Sequence, residues 1–170
     1  SGPLNRPYGL GAELRKLGFE VVEVDKEFGG EGHDIRRDWV LRPLLRQVRA
    51  GHFCAVFLGI PCSTYSVARI HSFPDGGPPQ VRDIWERRGL SGLDEGWRRE
   101  VAAANDVTDR AMLVASAAAQ ACASVIIENP VWRGEGSPWA QPEYASHCSL
   151  WDMPVVLRWR NRFSAESVDC

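Results

Sequence analysis

The sequence predicts an α/β fold, a mostly parallel sheet with helices on both faces. Three observations lead there. The apolar runs Phe53–Ile60 and Val125–Ile127 are short and stop at turn residues, the pattern of buried parallel strands. The stretches between the expected strands carry helical periodicity, so strand and helix alternate along the chain. The residues able to carry chemistry gather where strands end: a loop at Gly2, then Asp25, Asp34, Cys62 and Glu128. In open α/β sheets, ligands bind outside the carboxyl ends of the strands.

A length of 170 residues fits one domain with a sizeable core. Hydrophobic content of 44% and charged content of 25% are those of an ordinary globular protein. A formal net charge of −2 gives no global attraction to nucleic acid. Such a partner would need local basic patches, or parts outside this chain. Five cysteines, an odd number with no CxxC spacing, argue against a disulfide framework and a structural zinc site. Free thiols suggest a reducing, intracellular compartment, cytoplasm or nucleus. No stretch has the length of a membrane span, and no signal peptide is read at the start.

Ser1 to Gly11 is a loop rich in Gly and Pro, suited to close backbone approach by a ligand. A short amphipathic helix is expected from about Gly9 to Leu17, with Leu10, Leu14 and Leu17 on one side and Gly18 as its stop. Phe19–Asp25 reads as a strand ending in an acid. Loop, helix, strand and terminal acid is the order of a nucleoside-binding half-fold, with Asp25 on ribose hydroxyls. The strand that should precede the loop is absent, so the chain is expected to start inside that motif or to carry a degenerate half. Lys26–His33 is a glycine-rich turn. The next helix, about Arg37 to Val48, should turn Trp39, Val40, Leu44, Leu45 and Val48 inward, and the buried strand Phe53–Ile60 follows it.

Arg69 to about Gly96 is irregular, broken by Pro74, Pro78 and Pro79. It is either a lid whose His71, Arg82, Arg87 and Arg88 meet phosphates, or a solvated loop. A long Ala-rich helix is expected from about Gly96 to Ala123, with Asn105 and Arg110 facing the site or water. Strand Ser124–Ile127 comes next. Val131–Ala145 should wrap back over the sheet, and Pro154–Trp159 reads as a last strand, with a frayed tail after it.

Cys62 follows Pro61 and precedes Ser63 and Thr64. A thiol at a strand end, before an expected short helix and near Arg69, is placed to act as a thiolate nucleophile. Glu128 ends an apolar run, where partial desolvation would suit a group that donates or shares a proton. Cys54 and Cys122 lie in apolar surroundings and are expected in the core.

These residues resemble the cytosine-C5 DNA methyltransferases, whose nucleophile lies in a Pro-Cys motif and whose acid lies in a Glu-Asn motif. Pro61-Cys62 and Glu128-Asn129 match them in order. Ser1-Gly2 resembles the end of the family's first cofactor motif, Val24-Asp25 its second, and His33-Asp34-Ile35 its third, so the likeness runs from about Ser1 to Pro130. Glu-Asn-Pro rather than Glu-Asn-Val is similar to divergent methylase-like proteins, including ones carried by mobile elements. The resemblance implies a Rossmann-like, S-adenosylmethionine-dependent methyltransferase domain acting on cytosine in nucleic acid, DNA before RNA. Cys62 would be the nucleophile, Glu128 the acid, Pro61 would shape the turn and Asn129 would fix Glu128. Ser1, Gly2, Pro3, Asp25, Asp34 and Ile35 would contact the cofactor. Ser66, Arg69 and the spaced pair Arg158 and Arg160 would contact substrate. The chain holds no region for target recognition, so other domains or subunits would read sequence. No metal and no membrane are implied.

Two other functions fit parts of the sequence. One is a degenerate methylase-like domain that binds nucleic acid or protein without chemistry. The other is a cysteine hydrolase pairing Cys62 with His71 or His147.

Overall fold

The computed structural model describes residues 9–70, 77–134 and 136–166. The Ser1–Tyr8 part of the expected cofactor loop, His71 and Cys170 lie outside them. The helices are α1 (Leu10–Lys16), α2 (Lys26–Gly29), α3 (Asp38–Arg49), α4 (Glu95–Gln120) and α5 (Pro154–Phe163). Two strands, β1 (Ala55–Gly59) and β2 (Ser124–Glu128), form a parallel pair in the register Ala55↔Ser124 through Gly59↔Glu128. The fold is mixed α/β, and the sheet is much smaller than the alternating pattern predicts. Among the described residues, no helix is long and apolar enough to cross a membrane.

Local chemistry explains each helix. Leu41, Leu45 and Val48 recur at helical spacing on α3 and are buried. Gly51, at φ +74°, turns the chain out of α3 into β1. The Asp94 carboxylate caps α4 by accepting from the Trp97 amide at 2.9 Å. The alanines of α4 let its backbone pack closely on its neighbours. Two cores meet on α4. One joins Leu41, Leu45 and Val48 to Val114, Ala117 and Ala118, with Val56, Leu58 and Val125 of the sheet beside them. The other, under the strand ends, contains Ile60, Tyr65, Met112, Ala115, Leu150, Met153 and Val156.

Several expectations fail for identifiable reasons. Pro154–Trp159 is the start of α5, not a strand. Pro154 sits in the first turn, where its missing N–H costs nothing, and Val156 and Trp159 bury one helical face. Arg158 and Arg160 are therefore helical. Phe19–Asp25 alternates over its second half between half-buried and exposed residues, as a strand would. It has no ladder among the described residues, because nothing there offers it a partner. The expected turn Lys26–His33 is wound into α2 and a 3₁₀ turn, Gly30–His33. Among the described residues, only one face of the sheet carries the predicted packing, since Phe57 (47% exposed) and Ile126 (55%) stand on the other. Trp39 is 64% exposed, with the Arg37 guanidinium 5.5 Å from its ring centroid. Leu41, outside the set expected to turn inward, is buried. Cys54 and Cys122 are exposed at the amino ends of the strands, and Cys148 is the buried thiol. Burial pushes Cys148 up to about 12. Just after the stretch expected to wrap over the sheet, the antiparallel bridge Asp83↔His147 and the Ile84 amide on the Ser146 carbonyl join the chain to residues 83–84.

One-sided packing makes a sharp contrast in stability. Leu150 is fully buried, so Leu150→Ala should cost about 2–5 kcal/mol in urea unfolding. Phe57→Ser, half exposed on the open face, should cost less, about 1 kcal/mol.

Candidate functional site

The parallel register sets Gly59 beside Glu128, so both strands leave the sheet at one level. Pro61 has no N–H and cannot extend β1. Cys62 follows, and the Tyr65 amide donates to the Cys62 carbonyl at 2.8 Å, closing a tight turn over residues 62–65. The Asn129 Nδ2 donates to the Ile60 carbonyl at 2.7 Å, which ties the Glu-Asn-Pro turn to the Pro-Cys turn. Trp151 Nε1 donates to the Pro130 carbonyl at 2.9 Å and fixes the far side of the same turn. The two turns singled out in the sequence therefore lie side by side, and Asn129 is their link.

Cys62 and Glu128 both face water. Neither side chain has a hydrogen-bond or ion-pair partner among the described residues. The desolvated setting expected for Glu128 is absent, because its strand position places it on the open face with Phe57 and Ile126.

Behind the thiol the turn is held firmly. Thr64 and Tyr65 are buried. Thr64 Oγ1 accepts from Arg82 Nη2 at 2.9 Å. The Arg82 guanidinium carbon lies 4.1 Å from the centroid of the Tyr65 ring. The Tyr65 hydroxyl is 2.8 Å from Thr108 Oγ1. Thr108 donates its own proton to the Ala104 carbonyl, so Tyr65 is the donor in that pair. Burial raises the Tyr65 pKa and keeps this donor protonated. His147 Nε2 meets the Tyr65 carbonyl at 2.7 Å. Burial lowers the His147 pKa, favouring the neutral ring. That ring nitrogen is committed to backbone, and no hydrogen bond to Cys62 is formed, which removes support for the hydrolase pairing with His147.

Arg69 is also buried. It donates to the Ser63 carbonyl, to the Pro79 carbonyl at 3.3 Å and to Glu100 at 2.6 Å, with Trp97 under its guanidinium. It brackets the loop instead of presenting a free cation. Ser66 Oγ accepts from the Ala68 amide at 3.2 Å and starts the 3₁₀ turn Val67–Arg69. Arg87 donates to the Ile84 and Asp152 carbonyls, and Arg88 pairs with Asp109 at 2.8 Å. Asn105 is buried between Arg82 and the Arg88 carbonyl, while Arg110 pairs with Asp38 and Asp106. The basic residues expected to meet phosphates are mostly spent inside the chain. Arg158 is exposed on α5, and Arg160 lines a shallow groove there with Asn161 and Ser164.

Thr64, Tyr65 and Thr108 were not singled out by the sequence. One signal was available: Asn105, Thr108 and Met112 share one stripe of α4, and polar residues inside an apolar stripe mark buried hydrogen bonds.

The implied cofactor residues fit unevenly. Asp25 Oδ1 accepts from the Glu27 amide at 2.9 Å and caps α2, leaving its second oxygen available. Asp34 is buried, and its carboxylate takes Arg36 Nε, Arg36 Nη2 and the Arg36 amide, with Lys26 at 3.3 Å. Ile35 is partly buried against the core below. Ser1, Gly2 and Pro3 are outside the described residues. Among the described residues, no group of three or more His, Cys, Asp or Glu side chains could hold a metal ion.

The hydrogen bonds from Arg36 hold the Asp34 carboxyl well below the usual range. Its stabilising contribution is complete above about pH 4, the unfolded value, and is lost as pH falls toward the folded value. Asp34→Asn should therefore destabilise near neutral pH, and its cost should begin to shrink below about pH 4 while staying substantial at about pH 3, read by urea unfolding at both. Asn129→Ala strands the buried Ile60 carbonyl and should cost about 1–3 kcal/mol in the same measurement. Comparison with protein-family models, with curated proteins and with solved structures gives no match to this chain.

Proposed function

We propose that this chain transfers a methyl group from S-adenosylmethionine to C5 of cytosine in nucleic acid, through a covalent bond to Cys62. One observation carries the reading. The Asn129–Ile60 bond and the parallel register hold at adjacent strand ends a thiol and a carboxylate that have no partner among the described residues. A nucleophile beside a proton donor is what addition to a pyrimidine ring needs.

In this mechanism the Cys62 thiolate adds to C6 of a base turned out of its stack. The 5,6 double bond opens, and Glu128 holds the N3 and N4 edge as charge develops on the ring. When bound, S-adenosylmethionine would supply an electrophilic methyl group to C5, its S–CH3 bond breaking to leave the neutral thioether. Loss of the C5 proton to a base then lets the electron pair re-form the double bond and expel the thiolate. Pro61 shapes the turn, and Asn129 keeps Glu128 opposite Gly59. Asp25 is the residue best suited to ribose hydroxyls, because one carboxylate oxygen is unused. Asp34 is a poor acceptor for any ligand, its oxygens being filled by Arg36 and Lys26. DNA is put before RNA as the substrate class, with exposed basic residues such as Arg158 on the backbone and sequence read by other domains or subunits.

The filled Asp34 carboxylate favours a second reading, a methylase-like module that binds without chemistry. A 5-fluorocytosine oligonucleotide separates the two. With the methyl donor present, the catalytic reading requires a denaturant-stable adduct that Cys62→Ala abolishes and Glu128→Gln slows by roughly 10²–10⁴-fold. Binding of oligonucleotide with no adduct on DNA or RNA would replace it with the module.

A further inference from the structure

Arg82 is 2% exposed, and among the described residues no carboxylate lies within ion-pair distance of it. Taking a guanidinium out of water costs several kcal/mol, and an apolar side chain of similar volume is often no worse for stability. What the charge obtains in return is therefore informative. Arg82 Nη1 donates to the Arg87 carbonyl at 2.7 Å and to Asn105 Oδ1 at 3.1 Å, and it touches Met153 Sδ at 3.6 Å. Nη2 donates to Thr64 Oγ1, and the guanidinium stacks on Tyr65. Nε is buried, with no partner among the described residues. Two of these contacts are to the residues two and three positions after Cys62.

The second layer is equally specific. Asn105 and Thr108 stand one turn apart on α4. Asn105 accepts from Arg82 and donates to the Arg88 carbonyl, and Thr108 accepts from the Tyr65 hydroxyl. The longest helix thus holds both halves of a stacked pair, and that pair grips the turn whose hydrogen bond is accepted by the Cys62 carbonyl. A planar fork can stack and donate in its own plane at once; a lysine ammonium cannot.

From this geometry we infer that Arg82 is a positioning residue for the thiol: clamped between α4 and the 62–65 turn, it fixes where Cys62 meets its substrate. The inference rests on the reading of Cys62 as nucleophile. Arg82 is accordingly no phosphate contact, and its effect reaches the reaction only through Thr64 and Tyr65.

The test uses Arg82→Lys together with Thr64→Val and Thr64→Ser, each checked for cooperative melting above the assay temperature. Positioning predicts that adduct formation on the 5-fluorocytosine oligonucleotide slows by roughly 10²-fold in Arg82→Lys, with half-saturation by oligonucleotide unchanged. Thr64→Val should slow it as well, while Thr64→Ser, which keeps the acceptor, should retain the wild-type rate. Wild-type rates in both Arg82→Lys and Thr64→Val would overturn the inference, as would equal losses in Thr64→Val and Thr64→Ser. If the wild-type chain forms no adduct, the methyl-transfer reading fails separately. Arg82 is then judged on iodoacetamide labelling of Cys62, with exposed Cys54 as internal reference. A Cys62-to-Cys54 rate ratio changed by about tenfold in Arg82→Lys supports the clamp, and an unchanged ratio overturns it.

Discussion

The hydrogen bond from Asn129 to the Ile60 carbonyl is the constraint on which the site depends. Parallel strands cannot be joined by a tight turn, so β1 and β2 need a long crossover, here residues 60–123 with α4 inside it. Such a crossover leaves the carboxyl ends of the strands free to diverge. Beyond Gly59 and Glu128 the ladder is over, and Pro61 offers no donor to continue it. The Asn129 side chain takes over where the backbone stops and carries the register one residue past the sheet. Each such bond is worth only about 1 kcal/mol net, but a buried carbonyl left without a donor costs more. The arrangement resists separation of the two turns because Ile60 is buried, and its oxygen would lose its donor without gaining water.

The second organising feature is the use of basic side chains as internal struts. Arg69, Arg82 and His147 reach the 63–65 stretch from three directions, at the Ser63 carbonyl, the Thr64 hydroxyl and the Tyr65 carbonyl. Of these only Arg69 has a carboxylate partner among the described residues, Glu100. A carbonyl or hydroxyl acceptor gives a guanidinium less energy than a carboxylate does, yet it fixes a backbone position, which an ion pair between two flexible side chains does not. The contrast with the exposed Cys62 is physical. The nucleophile proposed here needs access, so its own side chain cannot be restrained by packing, and the restraint would have to come from the residues that follow it. The struts also alter the electrostatic reading of an acidic chain. Part of its positive charge never faces solvent, and attraction for a polyanion falls to exposed groups such as those on α5.

The strand ends were legible in the sequence because they depend on local pattern. An apolar run stopped by Pro61, and another stopped by Glu128-Asn129, needed no tertiary knowledge. The long helix was legible too from its Ala content, while the Asp94 cap that starts it came only with the structure. What could not be read were consequences of pairing. Val155 and Val156 favour a strand locally. With no neighbouring strand to join among the described residues, the Val156–Trp159–Phe163 spacing buries a helical face instead. Phe19–Asp25 shows the converse, a strand-like alternation that stays unladdered. Arg82 was readable only as a charge in an irregular loop. Its place under Cys62 depends on Thr64, Asn105 and Tyr65 converging from separate parts of the chain.

The open face of the sheet bears on Glu128 in particular. Alternation along β2 puts Ser124, Ile126 and Glu128 on one side and Val125 and Ile127 on the other. The acid is therefore bound to the uncovered side by the same pleat that buries the core. Shifting β2 by one residue would bury Glu128, but it would also turn Val125 and Ile127 out to water, so register and acid exposure are inseparable. Any low-dielectric surrounding for this carboxylate must come from what binds over it, with Phe57 and Ile126 supplying an apolar floor beside it. In the proposed reaction, arrival of the base would exclude water from Glu128 and strengthen its hydrogen bond to the ring edge in the same step. The exposed carboxylate and the firmly held thiol turn then form one arrangement, in which position is built into the chain and desolvation is delivered by the substrate.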